Sequence, residues 1–227
     1  MLFFNEWIFL AQTLSVAFFA IGSVLFGIGG ITSFITLCAL LSNLFVRKQI
    51  MLFGLSVVAS DALSIGSDLG IHLVYEYFGP HAAKKAIWLC LFISLFFIVM
   101  AQLFLWYHPN VFDTAQSEYY AILGPMPFII GTSCLVALAT KGINFALYHT
   151  FSLWWGSSRF FTKTILALVI SQLFDTIAFT ILALSGTVHS VLEIIFFSYC
   201  VKCCVIFSGV PFVTFCRKFI PLKPFTA

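Results

Sequence analysis

The stretch "SDALSIGSDLGIHLVYEYFG", Ser60–Gly79, sets Asp61, Asp68, His72 and Glu76 in apolar surroundings without a single Lys or Arg. On a helix of about 100° per residue, with Asp61 at zero, Asp68 falls at about −20°, His72 at about +20°, Glu76 at about +60° and Ser64 at about −60°. These five residues form one polar stripe, and the opposite face is Leu, Val and Ile. An acidic residue at mid-span costs about 2.5–3.5 kcal/mol in a bilayer, so Asp61 and Asp68 facing lipid would together cost roughly 5–7 kcal/mol. The stripe therefore belongs in a bundle interior. Gly66 and Gly70 make a small-xxx-small pair, with Gly54 upstream. They predict either a close helix approach or a helix broken near mid-membrane.

The rest of the chain supports a membrane setting. Of 227 residues, 62% are hydrophobic and 8% charged, and the mean hydropathy is +1.10. Soluble domains carry roughly 25% charged residues, so this chain cannot cover a globule with polar surface. Its apolar residues come in long blocks rather than ten-residue alternating segments, which argues against a barrel and leaves helices. By the ruler of about 20 residues per crossing, candidate spans fall near 7–27, 30–46, 50–78, 86–107, 125–149, 162–184 and 188–216. The expected fold is all-α and polytopic, with about seven transmembrane helices in a single domain, 1–227. "MLFFNEW" has no basic leading region and reads as the start of a span, not as a secretory signal.

Charge placement predicts orientation. Lys84, Lys85, Arg159, Lys163, Arg217, Lys218 and Lys223 fall on one side, and Asp113 and Glu118 on the other. The positive-inside rule then puts the N-terminus outside and the C-terminus in the cytoplasm, with Arg47 and Lys48 as exceptions. Trp106, Tyr107, Tyr119 and Tyr120 near the outer loop 108–125, and the aromatic residues of "LWWGSSRFF" (153–161), read as interfacial anchors.

Further polar residues recur in the later spans: Lys141 with Asn144, Gln172 with Asp175 after Ser171, and Glu193, Tyr199 and Lys202. Acceptors, donors and cations at several levels suit a solute path. The competing reading pairs the acids with Lys141 or Arg47 as interhelical glue, but intramembrane bases are too few to match the whole stripe. Enzyme readings find no support. The Gly-x-Ser-Gly of rhomboid proteases, the Gly-x-Gly-Asp of aspartyl intramembrane proteases and a multi-Asp transferase motif are all absent from the sequence. His72, His149 and His189 are scattered over three spans, which disfavours haem. Cys200, Cys203 and Cys204 lack a nearby fourth ligand and read as apolar packing. Cys216, beside Arg217, is a lipidation candidate. No metal or cofactor is expected.

Four segments then resemble, in order, the vitamin-uptake or queuosine-precursor transporters, small bacterial integral membrane proteins. "SNLFVRKQIMLFG" (42–54) is similar to that family's Asn-x4-Lys-x4-Phe-Gly, through Asn43, Lys48, Phe53 and Gly54. "EYFGPHAAKKAIW" (76–88) is similar to its Glu-x-Tyr/Phe-Gly segment. "SQLFDTIAF" (171–179) resembles Gln-x-x-Asp-Ser/Thr-x-x-Phe, and "SYCVKCCVIFSGVP" (198–211) resembles Tyr-x-x-Lys with a later Pro. The match runs from about Gly27 to Pro211. It implies a six-helix core, about 28–218, plus an extra N-terminal helix.

The resemblance also has departures. His72 stands where the family usually has Asp, Lys141 where Gln is frequent, and Phe128 where Arg is. Lys163 falls at a basic position, while Asp61 and Asp68 stand where the family has no acid.

The resemblance implies a secondary transporter of the bacterial inner membrane. Its expected cargo is a 7-deazaguanine such as the 7-cyano or 7-aminomethyl form, or queuine, imported for tRNA modification. Asp175 with Gln172 would take the base edge, supported by Glu76, Lys202, Asn144, Lys141 and Tyr199. Asp68 and His72 would handle the exocyclic group. His72, Asp68 and Asp61 are candidates for ion or proton coupling. Partners would be the small-molecule substrate and the lipid bilayer, with no nucleic acid, and a homo-oligomer stays open. The alternative is an importer or substrate-binding membrane subunit for another small vitamin-like metabolite. The chain has no P-loop with which to power itself.

Overall fold

Hydrocarbon offers no partners to backbone N–H and C=O groups, and the chain meets that constraint with helices. The computed structural model describes residues 4–46, 48–156, 159–184, 191–216 and 218. Arg47, His189, Arg217, Lys223 and the side chain of Glu193 lie outside the described residues. In chain order the elements are α1 (Phe4–Val24), α2 (Gly27–Phe45), β1 (Gln49–Leu52), β2 (Leu55–Val58), α3 (Asp61–Phe78) and α4 (Pro80–Leu105). They continue with α5 (Gln116–Leu123), α6 (Met126–Trp155), α7 (Phe160–Phe179) and α8 (Val191–Cys216). A π-helical turn, Thr180–Leu184, extends α7.

Among the described residues six helical segments are long and apolar enough to cross a membrane: α1, α2, α4, α5 with α6, α7, and α8 from Ile195. The seventh long helix, α3, is too polar to qualify by composition. It has 18 residues, and nearly all of them are buried. It sits at the centre, packed against α1, α2, α4, α6, α7 and α8. The chain is an all-α polytopic membrane protein, and the most polar of its long helices is the innermost.

One predicted span needs correction. Residues 50–78 are not a single helix, because the first part forms an antiparallel hairpin in which Leu52 pairs with Leu55. The two-residue loop Phe53–Gly54 has φ of 51° and 80°, the positive values that tight hairpin loops require. Phe is an uncommon choice there, and the start of α1 holds it in place. Phe53 N–H donates to Glu6 Oε1 at 2.8 Å, and Asn5 Nδ2 donates to Met51 O at 3.0 Å. Leu52 and Val57 pack with Val201 of α8 and with Phe9 of α1. The Phe-Gly of the family-like segment is thus a turn. Likewise, the predicted loop 108–125 contains the short helix α5.

Between α3 and α4 the chain reverses through one residue. Gly79 has φ 85° and ψ 171°, and Pro80 begins α4. The first is a conformation essentially reserved for glycine, and the second places proline where its missing N–H costs nothing. Gly66 and Gly70 face the other way, toward α1 and α2. A Cβ on Gly66 would collide with Val16 Cγ1, and one on Gly70 would meet Ile35 Cγ1 at 2.6 Å. The predicted close approach is therefore present, between α3 and two neighbouring helices. We expect Gly66→Ala to lower the thermal unfolding temperature in detergent. Gly142→Ala, at an open position on α6, should raise stability by roughly 0.5–1 kcal/mol. A neutral Gly66→Ala would refute the close α1–α3 contact.

Candidate functional site

The stripe on α3 points away from Gly66 and Gly70, toward α6, α7 and α8. Its central acid, Asp68, has both oxygens engaged. Lys141 Nζ of α6 lies 2.6 Å from Oδ1, and Gln172 Nε2 of α7 donates to Oδ2 at 2.7 Å. Lys141 also donates to Ser67 Oγ at 3.1 Å. A second pair joins α8 to α7: Lys202 Nζ is 2.6 Å from Asp175 Oδ2. Among the described residues, the other oxygen of Asp175 receives only the hydroxyl of Thr140, at 3.3 Å. Asp175 is the more open of these two acids, with a side chain 20% exposed against 4% for Asp68.

Asp61, Asp68, Lys141, Asp175 and Lys202 all line one cavity of about 140 Å³, together with hydroxyl groups from six helices and with Asn43 of α2. Ligand pockets for drug-sized molecules span about 300–1,000 Å³, so this cavity suits a small, compact solute. Asp61 differs from its neighbours. It is buried, its Oδ2 has no hydrogen-bond partner, and it takes no part in the three ion pairs among the described residues. Its place in the first turn of α3 is worth about 0.3–1 kcal/mol to a carboxylate. That is well short of the penalty for withdrawing a charge from water, which is several kcal/mol.

Toward the C-terminal end of α3 the same stripe is closed. His72 Nε2 donates to Asn144 Oδ1 at 3.0 Å, and the imidazole stacks on Tyr148 with ring centroids 4.1 Å apart. One turn on, Glu76 receives the Tyr148 hydroxyl and the Lys163 ammonium, the latter at 2.6 Å. Lys163 also donates to Gly156 O at 2.9 Å and Ser152 Oγ at 3.2 Å, and it is fully buried. His72 Nδ1, Asn144 Nδ2 and Gln172 Oε1 remain buried without partners. This layer of fixed pairs lies directly beyond the cavity on the same helix.

The structure thus divides the residues singled out by sequence. Asp61, Asp68, Lys141, Asp175 and Lys202 share the cavity. His72, Asn144 and Glu76 belong to the closed layer, and Gln172 braces Asp68 rather than joining Asp175. Tyr199 lies elsewhere, donating to Val169 O at 3.1 Å and so tying α8 to α7. Lys48 is exposed at the base of the hairpin and does not line the cavity. Reading the bases as too few overlooked Lys163, which counts as a loop charge by position but is an intramembrane partner by geometry. Tyr148 was also missed. It continues the Lys141–Asn144 face by one turn, and extending that i, i+3, i+7 pattern would have found it. His149 is committed to the hydroxyl of Tyr75, at 2.6 Å.

The family model described as "Putative vitamin uptake transporter" matches residues 69–216, from within α3 to the end of α8. The chain belongs to this family. A protein of Bacillus subtilis (strain 168) named "Probable queuosine precursor transporter" is 28% identical over 191 residues, which cover 83% of this chain and 82% of that protein. No solved structure matches. In this member of the uptake-transporter family, both the cavity and the closed layer draw on residues inside the matched segment.

The closed layer yields a test. Lys163→Met removes one member of the buried Lys163–Glu76 ion pair, a change that typically destabilises by about 3–5 kcal/mol. The double variant Glu76→Gln, Lys163→Met removes both charges and should recover most of that loss, read as the unfolding temperature in one detergent. A double variant as unstable as the single one would contradict a structural Glu76–Lys163 pair.

Proposed function

We propose that this chain imports queuosine precursors, 7-deazaguanines, across the bacterial cytoplasmic membrane. The observation that carries the reading is a small cavity inside the bundle that three acids and two ammonium groups line. The name of the Bacillus subtilis relative points the same way. A guanine-like edge presents N1–H and a 2-amino group as adjacent donors, and a carboxylate accepts both. The O6 acceptor suits an ammonium or hydroxyl donor. Asp175, held on one oxygen by a single long hydrogen bond, takes the base edge, and Lys141 or Lys202 serves O6.

Orientation follows the positive-inside rule, counted without the buried Lys163. Lys84, Lys85, Arg159 and Lys218 then mark the cytoplasmic end, and the hairpin lies outside. In that frame the cavity occupies the outer half of the bundle, and His72, Asn144, Tyr148, Glu76 and Lys163 form the inner closure. Transport requires that closure to open once the cavity has filled. The family's vitamin-uptake description favours one other reading, a carrier or capture subunit for a different vitamin-like solute. A co-purifying ATPase would identify it.

The deciding experiment expresses the chain in a bacterium unable to make or import queuosine precursors and measures queuosine in its tRNA, with each precursor supplied separately at low concentration. We expect rescue by at least one 7-deazaguanine, and loss of that rescue in Asp175→Asn at equal membrane abundance. No rescue with good membrane expression would overturn the reading.

A further inference from the structure

We propose that Asp61 selects a monocationic solute: its carboxylate receives the protonated amine of an aminomethyl-type 7-deazaguanine, and the cavity discriminates against the neutral nitrile analogue. This inference rests on the import reading above and goes beyond it by choosing among the precursors.

Charge balance carries the argument. Among the described residues, the charged side chains lining the cavity are Asp61, Asp68, Asp175, Lys141 and Lys202. Ionised, they sum to one negative charge. The excess is not diffuse, because two of the acids are already neutralised at contact distance. Asp68 is held by Lys141 and Gln172, and Asp175 by Lys202 and Thr140. Asp61 remains. Lys202 lines the same cavity, but its ammonium already sits 2.6 Å from Asp175.

A carboxylate that is 7% exposed, lines a cavity and has an oxygen with no partner is short of one donor. A primary ammonium brings three N–H donors and the missing positive charge. Asp61 can accept one of them, and the hydroxyls of Ser60 and Ser64, which line the same end of the cavity, can accept the others. A nitrile brings neither charge nor donor, so it leaves Asp61 as it is. Spatial division also favours the assignment. The base edge goes to Asp175 of α7 and the exocyclic group to Asp61 of α3, carboxylates that reach one compact cavity from two different helices. Placement in the first turn of α3 eases the acid's burial but supplies no counter-ion.

The test uses the intact chain in cells that neither make nor import these precursors. It measures initial uptake of labelled 7-aminomethyl- and 7-cyano-7-deazaguanine by wild type and Asp61→Asn. The ratio of the two rates within one batch of cells is independent of expression level. We expect wild type to favour the amine, and Asp61→Asn to lose about ten- to a hundredfold of amine uptake, the scale of one charge-assisted hydrogen bond, while nitrile uptake is retained. If Asp61→Asn does not reach the membrane, the wild-type ratio decides alone. A wild type that favours the nitrile, or takes both equally, overturns the inference and leaves the import reading standing. A wild type that takes up neither removes both. Equal loss of both substrates in Asp61→Asn, together with lost sensitivity to a protonophore or to sodium, would make Asp61 a coupling residue and also overturn it.

Discussion

A carboxylate inside a lipid-embedded bundle must find a cation, a donor or a solute, and the arrangement of this protein follows from that demand. Lipid tails are as apolar as Leu, so greasy faces alone give helices little reason to choose one another. Polar pairs supply the choice. Asp68 fixes α3 to α6 and α7, Glu76 repeats that connection below it, and Asp175–Lys202 adds α8. On the far side of α3, Gly66 and Gly70 admit Val16 and Ile35 at contact distance. The central helix is therefore held by charge on one face and by the absence of side chains on the other.

Such pairs contribute less to net stability than their geometry suggests, because desolvation offsets most of the Coulombic gain. What they impose is conservation of charge. A partner can be exchanged at modest cost, whereas its removal is severe. That asymmetry suits a carrier. A solute that offers the donor or cation a carboxylate needs can enter without leaving the acid bare at either end of the exchange. Within the cavity Asp175 and Asp61 are the acids with capacity to spare, and Asp68 is the brace that keeps their surroundings in place.

The span lengths and the polar stripe were legible in the sequence, because a bilayer fixes the first and helical periodicity the second. Placement of the stripe inside the bundle followed from the cost of exposing Asp61 and Asp68. The hairpin was not legible. Its strands are as apolar as a membrane helix, and only the positive φ of Phe53 and Gly54, held by Asn5 and Glu6 some 46 and 47 residues away, distinguishes the two. The pairing was hidden for a related reason. Lys141, Lys163 and Gln172 meet their acids across 73, 87 and 104 residues, distances over which periodicity carries no information. Lys163 was further disguised by standing beside Arg159, where a basic residue ordinarily sets topology.

The stripe is one face of one helix, yet among the described residues its members stand in different states: with an unpartnered oxygen at Asp61, braced at Asp68, closed at His72 and locked at Glu76. Four residues, one turn, separate Asp68 from His72, and the cavity ends between them. On the import reading, a solute leaving Asp68 therefore meets the His72–Asn144 pair first. The orphaned His72 Nδ1, Asn144 Nδ2 and Gln172 Oε1 offer it hydrogen-bonding groups before any ion pair has to break. Only beyond them do Glu76 and Lys163 bar the way, with Lys163 also anchored to Gly156 O at the end of α6. On that reading, opening that last pair moves the start of α7, which carries Lys163, relative to α3. Passage would thus move from exchange of hydrogen bonds to movement of helices in the order in which the residues stand along the chain.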